Sequence, residues 1–525
     1  MTQASTTTAA PTAQKQESVK ETIISVIISF AMAFVFRSYV VEPFRIPTGS
    51  MAPTLLGAHM RFESPAGGYT WTTNYRDLGA NQAPLRVQGD ERLDRDPFIL
   101  QDPMTGLQME RKNIPLLAGD RILVLKYLYL LREPARYDVV VFKNPVRPKE
   151  NLIKRLVGLP GEDVLIVDGD IFVRPSGTDE PYQITRKPDR TQREVWAPLF
   201  STEFAPPDGA IPGWRAPWTG DGWELATREY RWDGAGADGS GIGTLRWDAG
   251  VRKINDLSPY NSTFSSAHDA RANAFPVSDL RVRARVKPDS SGSAITMAIA
   301  TRGCIFEAHI VDGVDGSASI SGSVYNEGTF LNENVLGVDL PAGEFTSLEF
   351  WHADQRLSLW VNGKKILETE YDWKPSERYA RAAVPGREHV EPAEPDTYAA
   401  PEVSMSFTGS SVTLTGVALD RDLYYRAVRQ NGRYFRASHP TYPAALASDE
   451  FFMLGDNSAA SHDGRGWTRV DPWIGDRFGY KAGVVPRELI LGKAFMVYWP
   501  APYSASIPGG ANLPVPNAGK VRFIR

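Results

Sequence analysis

At 525 residues the chain is too long for a single compact core, so two or more domains are expected. A net charge of -4 without a basic block excludes the electrostatic footprint of a nucleic-acid binder. Cys304 is the only cysteine, which excludes intrachain disulfides and thiolate zinc clusters and leaves the compartment open.

Residues 1-18, rich in Thr, Ala, Gln and Pro, have little to bury and read as a disordered tail. From Ile23 to Phe36 the chain is apolar apart from Ser25 and Ser29, and Val40 and Val41 follow Arg37 and Ser38. The segment reaches ~28 Å as a helix, enough to cross a hydrocarbon core with Arg37 and Tyr39 at the far interface. A removed signal peptide is the competing reading, but the leader is long and no small-x-small site follows the run. An uncleaved transmembrane anchor over 19-41 is therefore expected.

Next comes Ile46-Pro-Thr-Gly-Ser50-Met-Ala-Pro-Thr-Leu55. Pro47 and Pro53 restrict the backbone on either side of Ser50, and Gly49 permits close approach, so one hydroxyl is presented on a stiff loop. Residues 57-118 are polar and turn-rich and read as a small surface insertion without chemistry.

Order returns at Gly119-Asp120 and the strand-like Arg121–Leu125. Tyr137–Phe142 is a second strand, whose unbroken apolar run predicts burial on both faces. In Asn151-Leu-Ile-Lys154-Arg155-Leu-Val-Gly, Lys154 sits among apolar neighbours. Lost hydration lowers the pKa of such a lysine and frees a neutral amine as a base near neutral pH. The bland alternative is a strand-edge lysine whose head reaches water.

Residues 198-423 are strongly β. Leu280, Val282, Ala284 and Val286 alternate with Arg281, Arg283, Arg285 and Lys287, which predicts a strand with one buried and one wet face. Asn362-Gly363 between Leu357–Val361 and Lys365–Leu367 is a hairpin signal. Val403, Met405 and Phe407 alternate again. A stretch of this size is a domain in its own right, and a two-sheet sandwich is the expected arrangement. Asp312 and Asp315 suit a hairpin turn better than a calcium site. No metal and no cofactor are expected anywhere in the chain.

The last informative stretch is Phe452-Met-Leu-Gly455-Asp456-Asn457-Ser-Ala-Ala-Ser461-His462-Asp463-Gly-Arg465. Three consecutive residues, Ser461, His462 and Asp463, cannot readily line up nucleophile, base and orienting group, so His462 reads as a loop residue. Asp463 and Arg465 read as a structural ion pair.

These stretches, in this order, resemble the bacterial type I signal peptidases, membrane-bound serine-lysine proteases. The resemblance covers the anchor, Pro43–Met51, Gly119-Asp120, Lys154–Gly161 and Gly455-Asp456-Asn457. It implies Ser50 as nucleophile and Lys154 as general base, with the Thr48 hydroxyl and the Ser50 amide as oxyanion hole. It further implies Ser461 as the group orienting the lysine, and Asp456, Asn457, Asp463 and Arg465 as structural support. Phe44, Ile46, Pro47 and Ile153 would line shallow pockets for small substrate side chains. Thr48 replaces the commoner serine but keeps its hydroxyl.

The implied fold is mostly β: an N-terminal transmembrane helix, then a signal-peptidase-type catalytic domain over 42-197 and 424-525. That domain is interrupted by the sandwich at 198-423, which resembles the jelly roll of concanavalin-like lectins and laminin-G modules. The implied partners are signal peptides of exported preproteins and the lipid of the cytoplasmic membrane, with a glycan or protein ligand for the sandwich. Residues 1-18 would then be cytoplasmic and the catalytic domain extracytoplasmic. Two other readings stand beside this one: a membrane-tethered binding module on an inactive protease scaffold, and a self-cleaving repressor. The anchor and the lack of a DNA-binding helix pair ahead of the serine disfavour the repressor.

Overall fold

The computed structural model describes residues 19–74, 92–93, 98–111, 114–236, 239–260, 263–264, 274–313, 316–325, 327–387, 394–430, 433–506, 512–515 and 517–525. The tail read at 1-18 and Asp315 lie outside them.

Helix α1 (Val19–Tyr39) leads directly into strand β1 (Val41–Arg45). Ile23, Ile27, Phe30 and Phe34 on α1 are all exposed, so no layer of the protein covers the helix there. Among the described residues no helix is long and apolar enough to cross a membrane. The side chains of Phe36 and Ser38 are not among those described.

β1 is the edge of an antiparallel sheet that continues through Arg121–Leu125, Ile490–Trp499, Val139–Lys143, Asn151–Gly158, Glu450–Leu454 and Val485–Pro486. Val139, Val140, Val141 and Phe142 are buried, as a run without polar interruption requires of a strand covered on both faces. One face packs Ile46, Met51, Ile122, Val124 and Ile153 together. The other packs Val140, Phe142, Leu156, Met453 and Trp467. The strand carrying Lys154 pairs Lys154 with Val140 and Arg155 with Leu454, which brings segments far apart in sequence onto neighbouring strands.

Ala197–Ser201 pairs antiparallel with Val412–Arg421, with Ala197 opposite Arg421. The chain thus leaves and returns at one place. Between these points two large antiparallel sheets enclose a core that includes Trp218, Trp232, Val282, Met297, Phe306, Phe350 and Met405. Leu280, Val282, Ala284 and Val286 face this core, as their alternation predicts. Asn362 (φ 48°) and Gly363 (φ 77°) form the two-residue turn that joins Arg356–Val361 to Lys364–Glu370.

The opposite face of that strand departs from expectation. Arg281 and Arg283 donate to Asp420, and the Arg281 guanidinium lies over Trp196 and Trp351. Much of the face expected to be wet is covered, because tryptophans and a buried aspartate supply partners that alternation within one strand cannot reveal.

The described residues within 57–118 are likewise more than a surface loop. The hairpin of β2 (His59–Glu63) and β3 (Thr70–Asn74) shares a small core of Met60, Phe62, Trp71, Leu100, Met109 and Ile114. Arg252 donates to Pro103 O and, at 3.1 Å, to Met104 O, and Trp214 Nε1 donates to Thr105 O at 2.8 Å. These bonds fasten the segment to the sandwich.

A buried ionic cluster joins the sandwich to a second, smaller sheet that contains Glu162–Val167 and Asp170–Pro175. Asp168 and Asp170, at the turn between those strands, meet Arg302 and Arg378 from the sandwich at 2.6–3.1 Å. Lys187 Nζ bonds Asp354 and lies 2.8 Å from Asp422. Asp170, Asp279 and Asp354 come close enough together to hold a cation. Arg302, Arg378 and Lys187 already supply positive charge there.

Asp312 accepts the amides of Gly292 and Leu340, which ties a turn together and leaves its carboxylate engaged.

Candidate active site

Ser50 lies in a single 3-10 turn, Gly49–Met51. The turn is pinned from inside by Met51 and Leu55, both fully buried, and by Ile46 at 2 % exposure. Two other segments hold it from outside. Ile46 N donates to Asp120 O at 2.9 Å, and the Asp120 carboxylate accepts Leu56 N at 2.9 Å and Ala501 N at 2.7 Å. Asn457 donates its backbone amide to Ser50 O at 3.1 Å and its Nδ2 to Gly49 O at 2.9 Å.

Two motif glycines are explained by proximity. A Cβ at Gly119 would stand 2.2 Å from Ile46 O, and one at Gly455 would stand 2.4 Å from Ser50 O and 2.2 Å from Ser461 Oγ. Any side chain there would push the serine turn off its seat.

Lys154 reaches this turn from the middle of its strand. It is 2 % exposed, and its Nζ lies 2.5 Å from Ser50 Oγ across a sequence separation of 104. Burial pushes its pKa down to about 8, with Asp463 and Asp456 pulling it back up and Arg465 lowering it. The snorkelling alternative is excluded by that burial. An amine neutral over much of the range near pH 8, in contact with a serine hydroxyl, can take that proton as the oxygen attacks a carbonyl.

Charged groups brace the pair without touching Ser50. Arg155 makes a bidentate bond to Asp456 at 2.8 and 2.6 Å, with both side chains fully buried. Asp463 accepts Gly455 N at 3.0 Å and Arg465 Nε at 2.9 Å, and Arg465 Nη1 bonds Ser458 Oγ at 2.7 Å. Burial opposes the Asp463 charge, but Arg465, the Gly455 amide and Lys154 outweigh it and hold that carboxyl below its usual range. His462 is exposed, so the consecutive Ser-His-Asp does not form a relay.

One expected contact is not made. Among the described residues Ser461 Oγ is buried without a hydrogen-bond partner, so it does not hold Lys154 by a bond here. The lysine amine is engaged by Ser50 instead. Thr48 is exposed with an extended backbone, and its side chain does not cap the turn. Phe44, Ile46 and Ile153 pack in one cluster beneath the turn, and Pro47 is half-buried beside it. Sequence reasoning passed over two residues that act on the loop or its support, the Asp120 carboxylate and Arg155. The only signals were the Gly-Asp pair ahead of a strand and an arginine in an apolar run.

The family model described as "Signal peptidase, peptidase S26" matches residues 108–209 and 358–499. Those blocks contain Lys154 and the Gly455–Arg465 loop and leave Ser50 outside. Signal peptidase I of Rickettsia typhi is 27% identical over 157 residues, 30% of this chain and 44% of the relative. Signal peptidase I of Pseudomonas aeruginosa is 29% identical over 157 residues, covering 29% of this chain and 38% of the relative. The chain thus spans less than half the length of these relatives. Among solved structures, carbohydrate binding module CBM66 from Bacillus subtilis aligns at 7% identity and a TM-score of 0.23, over 39% of this chain and 95% of that one. The chain is thus distantly similar to signal peptidases over part of its length, and its fold includes a further β domain.

Proposed function

We propose that the protein is a membrane-bound serine endopeptidase that removes N-terminal signal peptides from exported preproteins by a Ser50–Lys154 dyad, cutting after small-x-small sequences. The observation that carries this reading is the 2.5 Å contact between a buried lysine amine of lowered pKa and a serine hydroxyl on a braced turn.

Neutral Lys154 accepts the Ser50 proton as Oγ attacks the scissile carbonyl, and the resulting ammonium protonates the departing amine. The amine then activates a water that releases the acyl group. The Ser50 amide and the Thr48 hydroxyl donate to the oxyanion; the exposed, uncapped Thr48 side chain is free to turn toward it. Phe44, Ile46, Pro47 and Ile153 form the floor that admits only small side chains. Ser461 orients the lysine while Nζ faces Ser50, its buried Oγ being without a partner among the described residues.

α1 anchors the protein in the cytoplasmic membrane as a single pass, with the catalytic domain on the extracytoplasmic side. Its length of 21 residues gives about 31 Å as a helix, close to the hydrocarbon thickness. The sandwich, proposed over 198-423, is an accessory domain with a glycan or protein ligand.

Detergent-solubilised protein incubated with a preprotein tests the activity by mass spectrometry of the products. Cleavage after a small-x-small sequence, abolished by Ser50→Ala and indifferent to chelator, is the expected result. Intact preprotein with the wild type would favour a binding module on an inactive scaffold.

A further inference from the structure

A cavity of about 400 Å³ opens behind the serine turn, where the turn, the β2–β3 hairpin, the C-terminal segment and the start of the sandwich meet. Its size is that of a small-molecule site rather than a single ion. Arg61, Lys520 and Arg522 all line it.

Their charges are poorly matched. Arg61 donates to Ala501 O at 3.1 Å, and Arg522 donates to Thr54 O at 2.5 Å. Arg522 comes no nearer than 3.8 Å to Asp120, a carboxylate already committed to two backbone amides. Among the described residues neither Arg61 nor Lys520 has a carboxylate at ion-pair distance. Partial burial of the ammonium, and then the neighbouring Arg61 and Arg522, hold Lys520 below the usual lysine range, although the residue as a whole is exposed. Among the described residues the only other acid lining the cavity is Glu194, which is exposed.

Tyr260, Trp71 and Trp196 line the cavity as well, with side chains 2 %, 4 % and 8 % exposed.

We propose that this cavity binds a phosphate group, carried either by a free phosphorylated small molecule or by an anionic lipid headgroup. Three cations lining one space suit a tetrahedral oxyanion, which offers acceptors in several directions. The site is separate from the dyad and does not depend on the proteolytic reading.

The test uses full-length protein in detergent, titrated with inorganic phosphate by calorimetry and by thermal shift. Saturable binding that stabilises the fold and weakens with salt is expected. Lys520→Ala, at an exposed position, should weaken phosphate binding about tenfold, the loss of one charge-assisted contact. Arg61→Gln removes a second lining cation and should also weaken it.

Flotation with phosphatidylglycerol against phosphatidylcholine vesicles separates the two sources. A preference for the anionic vesicles that Lys520→Ala removes identifies the headgroup, and phosphate binding without such a preference identifies the free ligand. The proposal is overturned if wild type shows neither phosphate binding nor a vesicle preference, or if both variants behave as wild type in both assays.

Discussion

Lys154 is where sequence and structure speak most directly to each other. Its apolar neighbours announced lost hydration, and the structure buries it against Ser50 with a pKa near 8. Below that value the amine is protonated in the free enzyme and cannot take the serine proton. Because the folded pKa lies below the unfolded one, the unfolded chain holds the extra proton between about 8 and 10.5, and folding stability rises with pH across that window. Lys154→Met should therefore stabilise the fold at pH 7 by about 2–3 kcal/mol, a gain that fades toward pH 10, while abolishing cleavage. Denaturant unfolding at the two pH values measures it. A second residue-scale expectation concerns Thr48, whose change to Val should cost roughly 3 kcal/mol of barrier with an unaltered melting temperature. The Ser461 contact that the resemblance implies is not made among the described residues, where Ser50 engages the amine.

The serine turn shows what a motif can and cannot disclose about an element. Two prolines and a glycine declared a stiff loop, but the groups that hold it, the Asp120 carboxylate and the Asn457 amide, lie about 70 and 400 residues away and become visible only once strands are paired. Gly455→Ala makes the dependence measurable. Its Cβ would meet Ser50 O at 2.4 Å, a backbone atom that must move, so kcat should fall on the order of a hundredfold with the protein still folded. Unchanged kcat would mean that the turn tolerates displacement and that its bracing is incidental. Alternation located the sandwich strands correctly, yet the Arg281 face shows its limit: period two separates the faces of a strand but does not say what covers the second.

Across the whole molecule, the insertion was legible as a composition change and its attachment was not. Ala197 opposite Arg421 shows why it can be accommodated, since the rest of the chain is interrupted at what amounts to one point. Arg302 and Arg378 on one side and Asp168 and Asp170 on the other then tie the two parts through charges with almost no access to water. Arg378→Met should destabilise the protein by about 3 kcal/mol, because it leaves buried carboxylates short of a partner. Thermal unfolding checks this, and a shift no larger than that of a surface variant would contradict it. Deleting residues 200-422 strips Lys187, Asp168 and Asp170 of partners at once. Cleavage should return only when those three are also made neutral, for example as Met, Asn and Asn. Failure of that repaired chain to cut would give the sandwich a part in catalysis rather than an accessory place.

The dyad itself is tested most directly by single-turnover cleavage of a preprotein across pH 6 to 10, comparing wild type with Lys154→Ala and with Ser50→Ala. The wild-type rate should climb as pH passes about 8 and then level, with both variants silent throughout. A rate that is flat over this range with chemistry limiting, or a Lys154→Ala enzyme that keeps cutting at the wild-type rate, would contradict the account.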